Sequence, residues 1–143
     1  MLNSNSNQKT VWIQDTSVYM LNQNTLNQNI KNKPEIYRAK NYLETASAIN
    51  AGIVKDVNAV ASAGACGIAQ AALEFEGENF EDFKKHVAKA AKVLKSTKLD
   101  LKELTNAINF VLKNMFKDSS IANSKMNAFE AATDYLNLKK QTI

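Results

Sequence analysis

The sequence predicts a mostly helical α+β domain, in which a small antiparallel sheet of two or three strands precedes about five helices. The 143 residues include only four glycines and one proline, and so few breakers favour helices. Short runs of β-branched and aromatic residues occur near the N-terminus, where they indicate strands. Residues 58–73 are almost all small or apolar, which indicates a helix buried on all sides.

Length and composition restrict the domain number and the kinds of partner. The first ten residues are polar, so we expect a disordered tail followed by one domain over residues 11–143. The formal charge of +4 is spread over interspersed lysines and glutamates, without an arginine cluster or an aromatic platform, so we expect no nucleic-acid binding. The N-terminus lacks the apolar core of a signal peptide, and we expect a cytoplasmic protein.

The N-terminal part of the domain has the pattern of a hairpin. The β-type runs 11–14 and 18–21 flank a turn-forming cluster at residues 15–17, which predicts two antiparallel strands. A polar stretch follows and predicts a loop that Pro34 closes. Residues 35–38 then predict an edge strand, because proline is tolerated at the start of a strand.

Two helices are predicted next, over residues 39–51 and 58–73,. The second is the central helix, and its predicted N-cap is Asp56 or Asn58. Glycine within a helix costs about 1 kcal/mol relative to alanine, and close packing by neighbours is the usual compensation. Small residues that repeat every fourth position along the central helix are Ala59, Ala63, Gly67 and Ala71.

A membrane-spanning interpretation of the central helix is weaker than a core interpretation. The run is about 16 residues long and contains Ser62 and Gln70, whereas a spanning helix needs about 20 mostly apolar residues. Cys66 is the only cysteine, so it excludes an internal disulfide and fits a reducing compartment. Within a buried helix it is expected to act as a small apolar residue.

Three amphipathic helices are predicted in the remainder of the chain. Their predicted N-caps are Asn79, Asp100 and one of Ser119 and Ser120,. The residues predicted to face the core are Phe80, Phe83, Val87, Ala90 and Leu94, then Leu101, Leu104, Ile108, Val111 and Met115, and finally Ile121, Met126, Phe129, Ala132 and Leu136,.

The residue pattern predicts no catalytic residue, no metal site and no cofactor. His86 has no zinc-ligand spacing around it,, and an acid–base role requires a positioned partner that the sequence does not display. The acidic residues around Gly77 are interpreted as a solvated connection that also places negative charge at a helix N-terminus. The N-terminus of the central helix is suited to bind a phosphate through its free N–H groups. The negative charge of Asp56 opposes such binding.

Residues 49–72 resemble the R-G-A-P-A-I-G motif and the alanine-rich helix in the N-terminal domain of S-methyl-5-thioribose-1-phosphate isomerase. That enzyme family is related to the regulatory subunits of translation initiation factor 2B. The positions align without a gap, and Gly67 falls on the family's later glycine. The predicted hairpin with Asn22 and Gln23 resembles the family's opening and its D-Q, and residues 96–98 resemble its S/T-T-R.

The resemblance implies a degenerate site for the phosphate of a sugar. The family positions that help to hold the phosphosugar are occupied here by Lys55, Asp56, Asn58 and Lys98. Lysine in place of arginine supplies charge but not a bidentate fork. A carboxylate at position 56, where the family has glycine, opposes a phosphate directly.

The family's catalytic cysteine and aspartate lie on a second domain, which we expect to fall outside these 143 residues. The resemblance therefore implies a stand-alone, non-catalytic interaction or assembly module, whose partner is another protein or a second copy. The resemblance also leaves a sugar phosphate as a candidate ligand. The alternative is one half of a split aldose–ketose isomerase of methionine salvage, completed by a separate catalytic subunit. A nonfunctional relic is a third interpretation.

Overall fold

The structure is a computed structural model that describes residues 10–23 and 35–139. The strands are β1 (Val11–Gln14), β2 (Ser17–Leu21) and β3 (Ile36–Ala39), and the helices are α1 (Tyr42–Asn50), α2 (Val57–Glu74), α3 (Phe80–Ser96), α4 (Lys102–Met115) and α5 (Ile121–Leu138). These ranges confirm the predicted α+β class. Nearly all of the predicted N-terminal tail and most of the predicted loop before β3 lie outside the described residues.

The three strands form an antiparallel sheet in the order β1-β2-β3. Asp15 adopts a left-handed backbone conformation with φ of 56°, which an aspartate tolerates in a tight turn. The turn is shorter than predicted, because Ser17 belongs to β2 and pairs with Gln14. The Ser17 hydroxyl accepts a hydrogen bond from Nε of Arg38 at 3.0 Å, which links β2 to β3.

Three of the predicted helix starts are confirmed by their capping hydrogen bonds. The Asp56 carboxylate accepts the Ala59 N–H at 3.1 Å at the start of α2. The side-chain oxygen of Asn79 accepts the N–H three residues later at 2.9 Å at the start of α3. The Ser120 hydroxyl accepts the Asn123 N–H at 3.0 Å at the start of α5.

Two predicted helix starts are wrong. α1 begins at Tyr42 after an Asn41 cap, because Ala39 is the last residue of β3 and pairs with Val18. Asp100 does not cap α4, which follows Leu101 without a side-chain cap. The chain turns just before α4, where the Leu101 N–H donates to the carbonyl of residue 98 at 3.0 Å.

The α2 helix lies at the centre of the domain, as predicted. Every residue from 59 to 72 is buried, and α2 contacts the other four helices as well as β1 and β2. A methyl group at Gly64 would overlap Cδ1 of Leu104, and one at Gly67 would lie 3.1 Å from Leu94 and from Thr45. The glycines therefore admit neighbouring side chains. No helix in the described part of the chain is long and apolar enough to cross a membrane.

The buried face of α5 differs from the predicted one. Met126 is 58% exposed and Phe129 is also exposed, so both predictions of core positions are wrong. The residues that α5 buries are Ser124, Ala128, Ala131, Ala132, Tyr135 and Leu136. Because α5 packs against the small side chains of α2, its alanine face allows a closer approach than its methionine and phenylalanine face.

Gln70 is the polar residue that connects the sheet to the helices. Its side chain is fully buried, and its Nε2 donates to the carbonyl oxygens of Thr16 and Ala39, each at 2.9 Å. Its Oε1 accepts the Thr45 hydroxyl at 2.6 Å. One amide therefore joins the hairpin turn, the end of β3 and α1 to the central helix.

Candidate functional site

A cavity of about 560 Å³ lies where the start of α2 meets the segment between α3 and α4. Lys55, Val57 and Val60 line it from one side, and residues 97–101 line it from the other. The two sides are held in place by the contact between α2 and α4 and by that between α2 and α3. The cavity is the place where the described residues bring predicted site residues together.

Two of the four predicted site residues line this cavity. Lys55 and Lys98 come from separate segments and both contribute to its wall. Asp56 and Asn58 are not among the lining residues: Asp56 caps α2, and Asn58 is exposed in the first turn of that helix. The cavity thus combines the two positive members of the predicted set and excludes the other two.

The two exposed apolar residues of the cavity, Val57 and Leu99, were not predicted from the sequence. Leu99 lies between a lysine and an aspartate and is 75% exposed, while Val57 is 45% exposed. An isolated leucine in a charged connecting segment is a signal that the sequence does contain. Asp100, which was predicted as a cap, instead lines the cavity and adds a negative charge to it.

Three backbone N–H groups at or just before the start of α2 are bound by the chain itself. Oε1 of Gln23 accepts the N–H of Lys55 at 2.5 Å and that of Asp56 at 3.0 Å. The Asp56 carboxylate accepts the N–H of Ala59. A helix N-terminus binds an anion through such groups, so three of the nearby donors are committed to protein oxygens.

The hydroxyl groups in the segment that resembles the family's S/T-T-R are committed as well. The Ser96 hydroxyl donates to the carbonyl of Val93, and the Thr97 hydroxyl donates to the carbonyl of Leu94, both at 2.7 Å. Each hydroxyl has one hydrogen to donate, so neither offers a donor to an anion. The positively charged side chains of the cavity are those of Lys55 and Lys98.

A second cluster of titratable groups lies around His86. Its Nε2 is 3.5 Å from Oε2 of Glu74, and the other Glu74 oxygen accepts the backbone N–H of Tyr42 at 3.2 Å. Burial raises the pKa of Glu74, whereas the Tyr42 N–H and the charge of His86 act in the opposite direction. Burial, and then the charge of Glu74, raise the pKa of the Tyr42 hydroxyl.

This cluster changes the interpretation of the acidic residues near Gly77. Glu74 is a partly buried partner of His86, so it is not part of the predicted solvated connection. The remaining members, Glu76, Glu78, Glu81 and Asp82, are exposed. The sequence displays no partner for His86, and the structure supplies one from the end of α2.

The His86 cluster joins helices and does not face the cavity. The rings of Phe75 and Tyr42 pack against the imidazole at centroid distances of 5.6 and 5.7 Å. The arrangement holds α3 against the end of α2 and the start of α1. Within the described ranges, no group of three or more histidine, cysteine or acidic side chains is arranged to hold a metal ion.

The fold and the cavity define a class of helical domain in which a small antiparallel sheet precedes a bundle built around a buried alanine- and glycine-rich helix. No protein-family model matches the sequence. A protein of Archaeoglobus fulgidus that is assigned as a methylthioribose-1-phosphate isomerase is 35% identical over 100 residues, which cover 70% of this chain and 30% of that protein.

Two crystal structures share the fold over 91% of this chain. One is translation initiation factor eIF-2B, subunit delta, from A. fulgidus, with a TM-score of 0.82, 29% identity and 37% of that chain covered. The other is 5-methylthioribose 1-phosphate isomerase from Pyrococcus horikoshii OT3, with a TM-score of 0.83, 25% identity and 36% of that chain covered.

The chain is therefore related to the family of methylthioribose-1-phosphate isomerase and eIF-2B, which confirms the resemblance seen in the sequence. It spans only 30% of the length of the sequence relative and 36–37% of the length of the two solved structures. The relationship thus concerns one domain's length of proteins that are more than twice as long as this chain.

Proposed function

We propose that this domain is a non-catalytic interaction or assembly module of the isomerase and eIF-2B family. The observation that carries the proposal is the mouth of the cavity, where Leu99 and Val57 are exposed beside Lys55 and Lys98. Exposed apolar side chains around a concave, charged surface are typical of sites that contact another protein.

The lengths of the relatives support this proposal. The matched region is 30–37% of each relative, so in those proteins the equivalent residues have a long remainder of the same chain to contact. A domain of this kind is expected to present apolar surface to its neighbours. A cytoplasmic location and an absence of nucleic-acid binding stay predictions from the sequence.

The lining of the cavity also supports a non-catalytic role. Its polar side chains are Lys55, Thr97, Lys98 and Asp100. Catalysis by proton transfer or by a nucleophile requires a reactive group with a positioned base or orienting partner. No such pair occurs among these four side chains, because the Thr97 hydroxyl donates to the backbone of α3.

The test is the association state of the purified chain, measured by sedimentation equilibrium. We expect a homodimer that Leu99→Asp weakens by about tenfold or more, since burial of a carboxylate against apolar surface is costly. Leu43→Asp is the matched control, because Leu43 is an exposed leucine of α1 that does not line the cavity. A monomer at all concentrations that methylthioribose 1-phosphate stabilises against heat would contradict the proposal.

A second candidate function is one half of a split isomerase. The observation that favours it is the convergence of Lys55 and Lys98, both of which match phosphosugar positions of the family, on one cavity. The chain would be mixed with the remaining part of the P. horikoshii isomerase and assayed with methylthioribose 1-phosphate. Turnover that appears only on mixing and falls in the Lys98→Met variant would favour the split enzyme, and no turnover would exclude this pairing.

A further inference from the structure

Charges of both signs alternate along most of the chain, but α3 departs from this pattern. Of the 18 lysines and arginines, six are lysines within residues 83–99, where no acidic residue occurs. The other residues contain 12 basic and 14 acidic side chains. The segment therefore carries a formal charge of +6 and the rest of the chain −2, so the positive charge of the protein is concentrated on one helix and its end.

Four of these lysines form a stripe along the solvent-exposed side of α3. The members of this basic stripe are Lys85, Lys89, Lys92 and Lys95. Their spacings of four, three and three residues place them on one side of a helix. The first three are exposed, and the fourth is half-buried. At a rise of about 1.5 Å per residue, the stripe is about 15 Å long.

The charges of the basic stripe are not neutralised within the described part of the chain. Lys84, next to the stripe, pairs with Glu81 at 3.2 Å. No carboxylate of the described residues forms an ion pair with any of the four stripe lysines. Like charges three or four residues apart on a helix repel one another, so a partner that brings carboxylates to the stripe relieves this repulsion when it binds.

Acidic residues border the basic stripe in the chain at both ends. The exposed carboxylates are Asp100 after the stripe and, before it, Glu76, Glu78, Glu81 and Asp82. A duplex nucleic acid or an anionic membrane extends well beyond the stripe, so its negative charges would meet these carboxylates. The apolar side of α3 is buried in the core, so it is not available for insertion into a bilayer. A short acidic segment fits between the two borders.

From the uncompensated stripe and its acidic borders, we propose that α3 docks a helix of a partner protein that carries carboxylates at spacings of three and four residues. The partner helix lies along α3, and its carboxylates contact the ammonium groups of the stripe. Ala88 is exposed between Lys85 and Lys92, and a small residue at this point admits a closely packed helix. None of the four stripe lysines lines the cavity, so this surface is separate from the one on which the proposed function rests.

The first experiment measures binding of a labelled, end-blocked helical peptide to the full chain by fluorescence anisotropy. The peptide consists of alanine and glutamine with four glutamates on one face. We expect it to bind about fivefold more tightly than an isomer whose glutamates are distributed around the helix, because the isomer cannot present all of them to the stripe at once. Equal binding of the two peptides would overturn the proposal, as would tighter binding of a DNA duplex or of phosphatidylserine vesicles.

The second experiment locates the peptide on the stripe with a triple variant that combines Lys85→Gln, Lys89→Gln and Lys92→Gln. Binding should weaken by about tenfold, since each exposed ion pair contributes about two- to threefold. The variant should melt no lower than the unsubstituted chain, because removal of like charges relieves repulsion along α3. Unchanged binding by this variant would overturn the proposal.

A matched triple variant separates the stripe from the net charge of the protein. It removes three exposed lysines outside α3 through the substitutions Lys113→Gln, Lys117→Gln and Lys139→Gln. Because the net charge changes by the same amount, a general attraction would weaken binding equally in both triple variants and would overturn the proposal. We expect the matched variant to lose less than about twofold, since exposed charges that are far apart are screened by salt.

Discussion

Replacement of Gln70 by methionine is the sharpest test of how the sheet is attached to the helices. The substitution keeps the length and the approximate volume of the side chain, but it removes every hydrogen bond of the amide. Its partners are the carbonyl oxygens of Thr16 and Ala39 and the hydroxyl of Thr45. Because Gln70 is fully buried, water does not readily replace the lost partners.

The size of the effect follows from which partners stay buried. Thr16 is an exposed turn residue, so its carbonyl regains water, whereas Ala39 and Thr45 are both fully buried. An unsatisfied buried polar group costs about 1–3 kcal/mol, so two of them lower the free energy of unfolding by about 2–6 kcal/mol. For a chain of this size the melting temperature should fall by about 6–24 °C.

The assay is urea unfolding followed by circular dichroism, with two further variants. Thr45→Val removes the same hydrogen bond from the other side, so its effect and that of Gln70→Met should be less than additive by about 1 kcal/mol in the double variant. Ser62→Ala is the matched control on α2, because the buried Ser62 hydroxyl has no hydrogen-bond partner among the described residues. It should leave stability unchanged or raise it by about 1 kcal/mol. A loss below about 1 kcal/mol for Gln70→Met would refute the reasoning.

Three further predictions concern the ends and the packing of α2. Gly64→Ala should lower the free energy of unfolding by about 1–2 kcal/mol in urea, because overlap with Leu104 outweighs the gain in helix propensity,; a stabilised variant would contradict this packing. Lys125→Met should cost about 0.5–2 kcal/mol in the same assay, because Nζ of Lys125 donates to the Phe75 carbonyl at 2.6 Å at the C-terminal end of α2,; a neutral result would show that the contact adds nothing. Glu74→Gln tests the raised pKa of that carboxyl. The folded state favours protonated Glu74, so stability is lost as the pH rises through the raised pKa. In thermal melts, the stability of Glu74→Gln relative to the unsubstituted chain should therefore increase as the pH rises from about 4, and a difference that does not vary with pH would contradict the shift.

Much of the fold depends on local rules that the sequence displays. Asp56, Asn79 and Ser120 each accept the N–H three residues later, and this contact needs only the capping residue and its own helix. The buried α2 was predictable for a similar reason, because its residues are small or apolar in every direction. The prediction that α2 is buried therefore does not depend on which side of the helix faces a given neighbour.

The sequence did not predict the features that depend on packing against a distant segment of the chain. Met126 and Phe129 have helical spacing suited to a core, yet α5 turns its alanine face towards α2 and leaves both exposed. Either face is apolar, and the choice depends on the shape of the surface that receives it. Asp100 has the composition of a cap, but the turn before α4 places it at the cavity.

The candidate site shows the same division between local and tertiary information. The sequence determined the order of the strands and helices, the buried central helix and a resemblance that named Lys55, Asp56, Asn58 and Lys98. Only the tertiary structure decided that Lys55 and Lys98 share a cavity with Val57 and Leu99, and that Gln23 already binds the nearby N–H groups. The physical reason is that propensity and capping act over a few residues, whereas a cavity is formed by segments that are brought together by the packing of the helices between them.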